Sequence, residues 1–428
     1  MGVLFFLLGM QSGCIYAQNK TVTKGRYDFI VPDDGTISQA LDAANRRGTN
    51  ATTRFRIFVK NGHYVFTPRG TTQGGDGKVY ADPRTYLISP YVSLIGESME
   101  GVVITNRTPA ATWNNGFGTA CPLEGIGRGD VLIVKREAHD TYFQNLTMKS
   151  SMGDAHGRDI VLNDQSNRTI FKDACLWAYQ DTYVSNNAEG KFYFEGGVIR
   201  GRTDYLCGKG DVYYNKVTLQ QCGRGGYLAV PSVAKKYGYV FSGCHIKQET
   251  PDVTFTLGRP WGSGTPIACF INTKMDTAPS GNGWADMHGG WPARFAEYNS
   301  CLPSGKRLDL SRRRTSWKDL EGNEHANNPV LAAAEVKSMS LAKVMGQDDN
   351  WNPALFTMPA PKPTRVKLAG TKLTWADNGR VFCWAVCKNG RVVAFTTQPQ
   401  YTVDDATATW SVRAANEMGG LGAPVKAK

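Results

Sequence analysis

Between residues 143 and 275 the chain repeats one short pattern, an aromatic residue followed five positions later by an aliphatic one. The pairs are Phe143/Met148, Phe171/Leu176, Phe194/Ile199, Tyr214/Leu219, Phe241/Ile246 and Phe270/Met275, with aromatic positions 28, 23, 20, 27 and 29 residues apart. Within each unit apolar and polar positions alternate, as in Val212–Leu219 and Tyr239–Ile246, the period-two signature of a half-buried strand. Gly, Asn and Asp clusters separate the units, and the absence of helical stretches argues against helical and leucine-rich repeats. Short β-rich units at such a period predict a solenoid. A right-handed parallel β-helix satisfies the pattern, because the aromatic and aliphatic positions then stack from coil to coil into one interior.

The flanks of the repeat carry a different pattern. Ile37, Ala40, Leu41 and Ala44 have helical spacing behind a capping Thr36 or Asp34, so a short helix is expected to close the first coil. Coils are expected from about residue 54 to 300, and a helical stretch over 328–346 should cap or flank the far end. Beyond the Pro-rich run at 358–364 the pattern shifts to short strands, Lys372–Trp375, Val381–Val386, Arg391–Thr396 and Thr409–Asn416, split by turns such as Asn389-Gly390. The tail, 365–428, resembles a fibronectin-type-III-like β-sandwich, although it is short enough that a strand could be missing. The expected class is therefore all-β: a β-helix with capping helices over 18–357, a linker at 358–364, and an accessory sandwich without chemistry of its own.

Composition narrows the partners. The chain has 428 residues and a formal net charge of +12, which favours an anionic partner. No nucleic-acid motif accompanies the scattered Lys and Arg, so a polyanionic glycan fits better than nucleic acid. No apolar run is long enough to span a bilayer. Residues 1–17 read as a secretory leader ending at Ala17, with a lipid anchor at Cys14 as the alternative, so an exported monomer is expected. Nine cysteines remain after such a cleavage; Cys175, Cys222, Cys244 and Cys269 fall on repeat positions, where they act as small hydrophobes. The six histidines show no metal-ligand spacing, although His156 lies close to Arg158; no metal or organic cofactor is implied.

The candidate chemistry lies in two aspartates at one position of consecutive repeats: Asp181 is five residues beyond Leu176, and Asp204 five beyond Ile199. On adjacent coils their carboxyls would stand roughly 5–6 Å apart. Two surface aspartates coinciding by chance is the bland alternative. Two carboxyls this close do not both ionise cheaply, so one should be pushed up in pKa while the other stays low. That would set a proton donor beside a nucleophile.

The surrounding segments, Trp177-Ala-Tyr-Gln-Asp-Thr-Tyr183, Gly201-Arg-Thr-Asp-Tyr-Leu-Cys-Gly208 and Leu257-Gly-Arg-Pro-Trp261, resemble the signature motifs of the pectin methylesterases of bacterial type. Ala40–Ala44, Arg56–Gly62, Val92–Glu97 and Phe295–Asn299 resemble further family segments in family order, over roughly residues 26–353. The resemblance implies hydrolysis of the methyl esters of polygalacturonate, with Asp204 as nucleophile and Asp181 as general acid and then base. It further implies Gln180 as an oxyanion donor, Arg259 as the partner that keeps Asp204 ionised, and Trp261 as part of the sugar-binding wall. Arg158, Tyr183 and Tyr205 are expected to join the substrate-binding surface. There are departures: ungapped counting puts Arg158 where the family has a second oxyanion glutamine, Cys207 where an aromatic is common, and Tyr183 where an aliphatic is common. Two alternatives remain at this point: a β-helical glycoside hydrolase, since paired carboxyls about 5–5.5 Å apart also serve retaining glycosidases, and a polyuronate-binding protein with a degenerate esterase site.

Overall fold

A computed structural model of the chain describes residues 22–110, 112–113, 119–154 and 157–428. The expected leader at 1–17, the alternative anchor at Cys14, and His156 lie outside the described residues. The chain divides into two compact units, Phe29–Asn352 and Pro353–Lys428, the second joined by the segment that ends at Asp28.

The larger unit is a parallel β-helix with three long sheets of ten, eight and seven strands, each strand bonded to its counterpart one coil away. The repeat is what aligns them. Phe143, Phe171, Phe194, Tyr214, Phe241 and Phe270 are successive partners in the ten-stranded sheet. Their rings stack at centroid distances of 5.0, 4.1, 5.2, 4.6 and 4.2 Å. Met148, Leu176, Ile199, Leu219, Ile246 and Met275 form the matching ladder in the eight-stranded sheet. Burying each large side chain contributes roughly 1.5–3 kcal/mol, so the ladders supply much of the cohesion between coils.

The residue two places beyond each ring carries the chain round the corner in the left-handed region: Asn145, Asp173, Gly196, Lys216, Gly243 and Asn272 have φ of 54, 46, 63, 55, 63 and 52°. Asn, Asp and Gly dominate because they tolerate this conformation at least cost. The polar clusters between repeat units are thus the corners of the coils.

At the N-terminal end, helix Ile37–Asn45 buries Ile37, Ala40, Leu41 and Ala44, and Thr36 with Gln39 closes a reciprocal capping box. The stretch expected to be helical over 328–346 forms two short helices, Ala333–Ser338 and Leu341–Met345. The second flanks the coils and does not cap their end. Lys191 Nζ donates to the Met345 carbonyl at 2.9 Å and to Asp349 at 2.5 Å, and Gln347 donates to Asp211 at 2.8 Å. No helix among the described residues is long and apolar enough to cross a membrane.

The smaller unit has seven strands in two antiparallel sheets. One holds Thr364–Ala369, Lys372–Ala376 and Gln400–Thr402; the other runs Arg391–Thr396, Trp384–Lys388, Trp410–Ala414, Val425–Lys426. Val366, Leu373, Trp375, Trp384, Val386, Trp410 and Val412 fill its core, together with Ala360 of the Pro-rich run. Tyr27 also belongs here: its ring packs on Phe382 and Phe395, and its hydroxyl donates to the Gly419 carbonyl at 2.5 Å.

Candidate active site

The seven-stranded sheet carries the candidate residues along one edge of its strands. Gln180 and Thr203 form a parallel bridge between adjacent coils, and the Asp181 amide donates to the Thr203 carbonyl at 3.1 Å. Asp181 and Asp204, each the next residue, therefore sit one above the other at the spacing of neighbouring strands, roughly 4.8 Å. Both have left-handed backbones, with φ of 56 and 52°, so the chain makes the same turn twice and presents the same side chain each time. Both are also buried, at 6% and 5% exposure.

Arg259 arrives from two coils further along, just past strand Phe255–Gly258. Its Nε donates to Asp204 Oδ1 at 3.0 Å and its Nη2 to Oδ2 at 2.6 Å, and its guanidinium lies 4.1 Å from the Tyr227 ring centroid. This two-pronged, charge-assisted pair fixes the orientation of Asp204. Trp261, two residues on, is 40% exposed, available as a flat apolar wall.

Burial, reinforced by the charge of Asp204 and opposed by Arg158 and Arg259, pushes Asp181 up to about 8. Asp204 is raised as well, by burial that outweighs the pull of Arg259. The expectation that the second carboxyl stays low is corrected in that respect, because a carboxylate this deep in the protein loses more hydration than one guanidinium returns. The larger shift still falls on Asp181, which has no guanidinium fork, so the pair is split in the direction an acid beside a nucleophile requires.

Residues 89–333, more than half of the chain, match the pectinesterase family model. The chain belongs to the pectinesterase family. Pectinesterase A of Dickeya dadantii is 26% identical over 355 residues, covering 70% of this chain and 88% of that protein. The chain spans 62% of a relative from Arabidopsis thaliana, numbered pectinesterase 11, which is 28% identical over 243 residues. Among solved structures, pectin methylesterase from carrot superposes with a TM-score of 0.59 at 17% identity, covering 80% of this chain and 99% of that one. The pectin methylesterase from Yersinia enterocolitica gives 0.54 at 23%, covering 73% and 99%. These structural likenesses bear on the fold.

Two of the expected binding residues lie elsewhere in the chain. Tyr183 pairs with Leu162 and Leu206 and sits edge-on to Phe171 and Phe194 at 5.6 and 4.8 Å, wholly inside the helix. Tyr205 is likewise fully buried. The left-handed turn at Asp204 and the irregular register between Thr203 and Leu206 direct both Tyr205 and Leu206 inward, against strict alternation. Neither tyrosine is exposed at the surface. The departure at Tyr183 from the family's aliphatic preference is a core signal, since both residue types serve to fill an interior.

Arg158 is half exposed. Its nearest carboxylate is Glu124 at 3.7 Å, and its charge bears on Asp181. Cys207 points outward in the row Ile133, Asn163, Val184, Cys207, Val230 and packs with Ile160, Val184 and Val230 under Ile126 and Met287. Two further acids carry no mark in the sequence pattern. Asp159 accepts from the Tyr179 amide at 3.1 Å and the Gln180 amide at 2.7 Å, holding the turn that presents Gln180 and Asp181. Asp130, wholly buried and pushed up to about 6 by burial, accepts from Asn163 Nδ2 at 2.9 Å and from the Gly127 amide. Neither falls on a repeat position; only its place next to Arg158 points towards Asp159.

Proposed function

We propose that this chain hydrolyses the methyl esters of polygalacturonate to pectate and methanol, through Asp204 and Asp181. The bidentate Arg259–Asp204 pair beside a carboxyl pushed up to about 8 carries the reading. One oxygen of ionised Asp204 attacks the ester carbonyl, whose electron pair moves to the oxyanion. Gln180, whose side-chain amide has no hydrogen bond among the described residues, and the half-exposed Arg158 are the donors for that oxyanion. As the intermediate collapses, Asp181 protonates the departing methoxide and becomes a carboxylate beside a now neutral acyl-Asp204. It then takes a proton from water, which attacks the acyl carbon and releases Asp204 as a carboxylate and the sugar as its free acid. Trp261 is the apolar wall on which the polymer lies. Retaining glycosidase chemistry uses the same carboxyl spacing, but the family assignment favours the ester.

The leader-like N-terminus suits export to a cell-wall polymer. The three-plus-four strand arrangement of the smaller unit supports the fibronectin-type-III-like reading, with residues 365–428 as an accessory module.

The test is methanol release from highly methylated pectin by the mature chain. Methanol in step with new carboxylates, and no new reducing ends, is expected; reducing ends without methanol would make the chain a glycosidase. Asp159 acts through the turn it holds, so Asp159→Ala should lower kcat by about tenfold or more with little change in KM. Asp159→Asn, which retains one acceptor oxygen, should recover most of it. Equal losses in both variants would remove Asp159 from a positioning role.

A further inference from the structure

Half of the formal net charge of +12 lies in residues 353–428, which carry ten Lys and Arg against four Asp and Glu. Along the sequence these cations look scattered, and the fold gathers five of them. In the first sheet of the smaller unit, Lys372 lies opposite Ala369 and Lys367 opposite Thr374. On the other side of the strand Thr364–Ala369, the Leu368 amide donates to the Lys428 carbonyl and the Lys428 amide to the Val366 carbonyl, both at 3.2 Å. That parallel bridge seats Lys367 beside Lys428. Val366 and Leu373 face the core, and Val425 and Ala427 pack against it, so alternation turns Lys367, Lys372, Lys426 and Lys428 to the opposite face. Arg365, on the bulge of its strand, is exposed beside them, as are all four lysines.

Asp377 is held by Lys24, and Asp404 and Asp405 by Lys388, while the five cations form no ion pair among the described residues. Lys367 and Lys428 stand side by side on neighbouring strands, about 4.8 Å apart, Lys426 lies roughly 6.6 Å along its strand from Lys428, and Lys372 is diagonal to Lys367. Such an array repels itself and is relieved by a partner carrying negative charges in a line. Open strands suit an extended polymer better than one small anion.

We propose that this face of the C-terminal unit binds anionic polyuronate, the product of the chain's own reaction; the esterase reading supplies only the identity of the polymer. Methyl-esterified pectin is neutral at each ester, so the face has little hold on fresh substrate, and each hydrolysis adds a carboxylate for it to grip. Binding through a second site raises the local concentration of neighbouring esters. Successive hydrolyses then fall near one another and leave contiguous de-esterified blocks.

The experiment compares the full chain with K367E/K372E/K426E and with a charge-matched control on exposed lysines of the β-helix, K274E/K306E/K318E. Binding to polygalacturonate and to highly methylated pectin is measured at low salt and at about 0.3 M, where surface charges are largely screened. The parent should bind polygalacturonate the more tightly, in a salt-sensitive way. The tail variant should bind it at least tenfold more weakly while releasing methanol from a short methyl-esterified oligogalacturonide at the parental rate; the control should stay close to the parent. Equal weakening in both variants, or equal binding of the two polymers by the parent, would overturn the proposal. If the parent releases no methanol yet shows tail-dependent binding, the esterase reading fails and the binding face stands.

Discussion

Asp204→Asn should reduce methanol release from pectin by about four orders of magnitude or more, the scale on which enzymes lose rate when a nucleophile is removed. An amide oxygen cannot form the acyl intermediate, so the residual rate would come from water attacking an ester that is merely held in place. The substitution also leaves the Arg259 guanidinium, now bonded at 2.6 and 3.0 Å, without a counter-charge. Truncating one partner of a buried ion pair costs roughly 3–5 kcal/mol, and the amide should recover part of that because it still offers one acceptor. Circular dichroism and urea titration therefore accompany the assay: folded protein without activity is the expected outcome. A folded Asp204→Asn chain that retains a tenth of parental activity would show that the nucleophile lies elsewhere.

For Asp181→Asn the expected signature is a large loss of activity together with a gain in stability. General acid–base groups contribute about 10²–10⁴-fold, and the amide can neither protonate methanol nor activate water. The stability effect follows from linkage. Asp181 titrates near 8 in the folded chain and near the ordinary value of about 3.9 when unfolded. A carboxyl with a raised folded pKa contributes its full stability below the unfolded value, and that contribution is lost as pH rises towards the folded one. Asn, which never ionises, should thus match the parent near pH 4 and exceed it by a few kcal/mol above pH 8. Urea titrations at the two pH values read this directly, and a difference that is flat with pH would remove the buried, proton-holding carboxyl from the mechanism. In the parent the same group should set an alkaline limb of kcat/KM near pH 8, which the Asn variant lacks.

These effects concern a site that is partly legible in the amino-acid sequence. The two aspartates stand out because a parallel β-helix turns sequence period into vertical register: equal offsets from Leu176 and Ile199 become adjacent rungs. The pairing of Arg259 with Asp204 across 55 residues is legible only through family resemblance, since the coils between them vary in length and no spacing rule reaches across them. Tyr183 and Tyr205 are misplaced by the sequence for a related reason. Proximity to Asp181 or Asp204 along the chain does not give direction, and the left-handed turn at Asp204 interrupts the alternation from which direction is normally read.

The sequence by itself determined the class of fold, the stacked aromatic and aliphatic ladders, the helix at 37–45 and the vertical alignment of the carboxyl pair. All of these follow from local periodicity and from pairing between identical positions of neighbouring coils. Only the tertiary structure decided that Asp159 holds the turn bearing Gln180 and Asp181, and that burial raises both paired carboxyls. It likewise decided that the segment around Tyr27 packs with the C-terminal unit and that five scattered cations share one face. Each of these depends on groups brought together from separate stretches of chain through loops and bulges that follow no period, and on the water those contacts exclude.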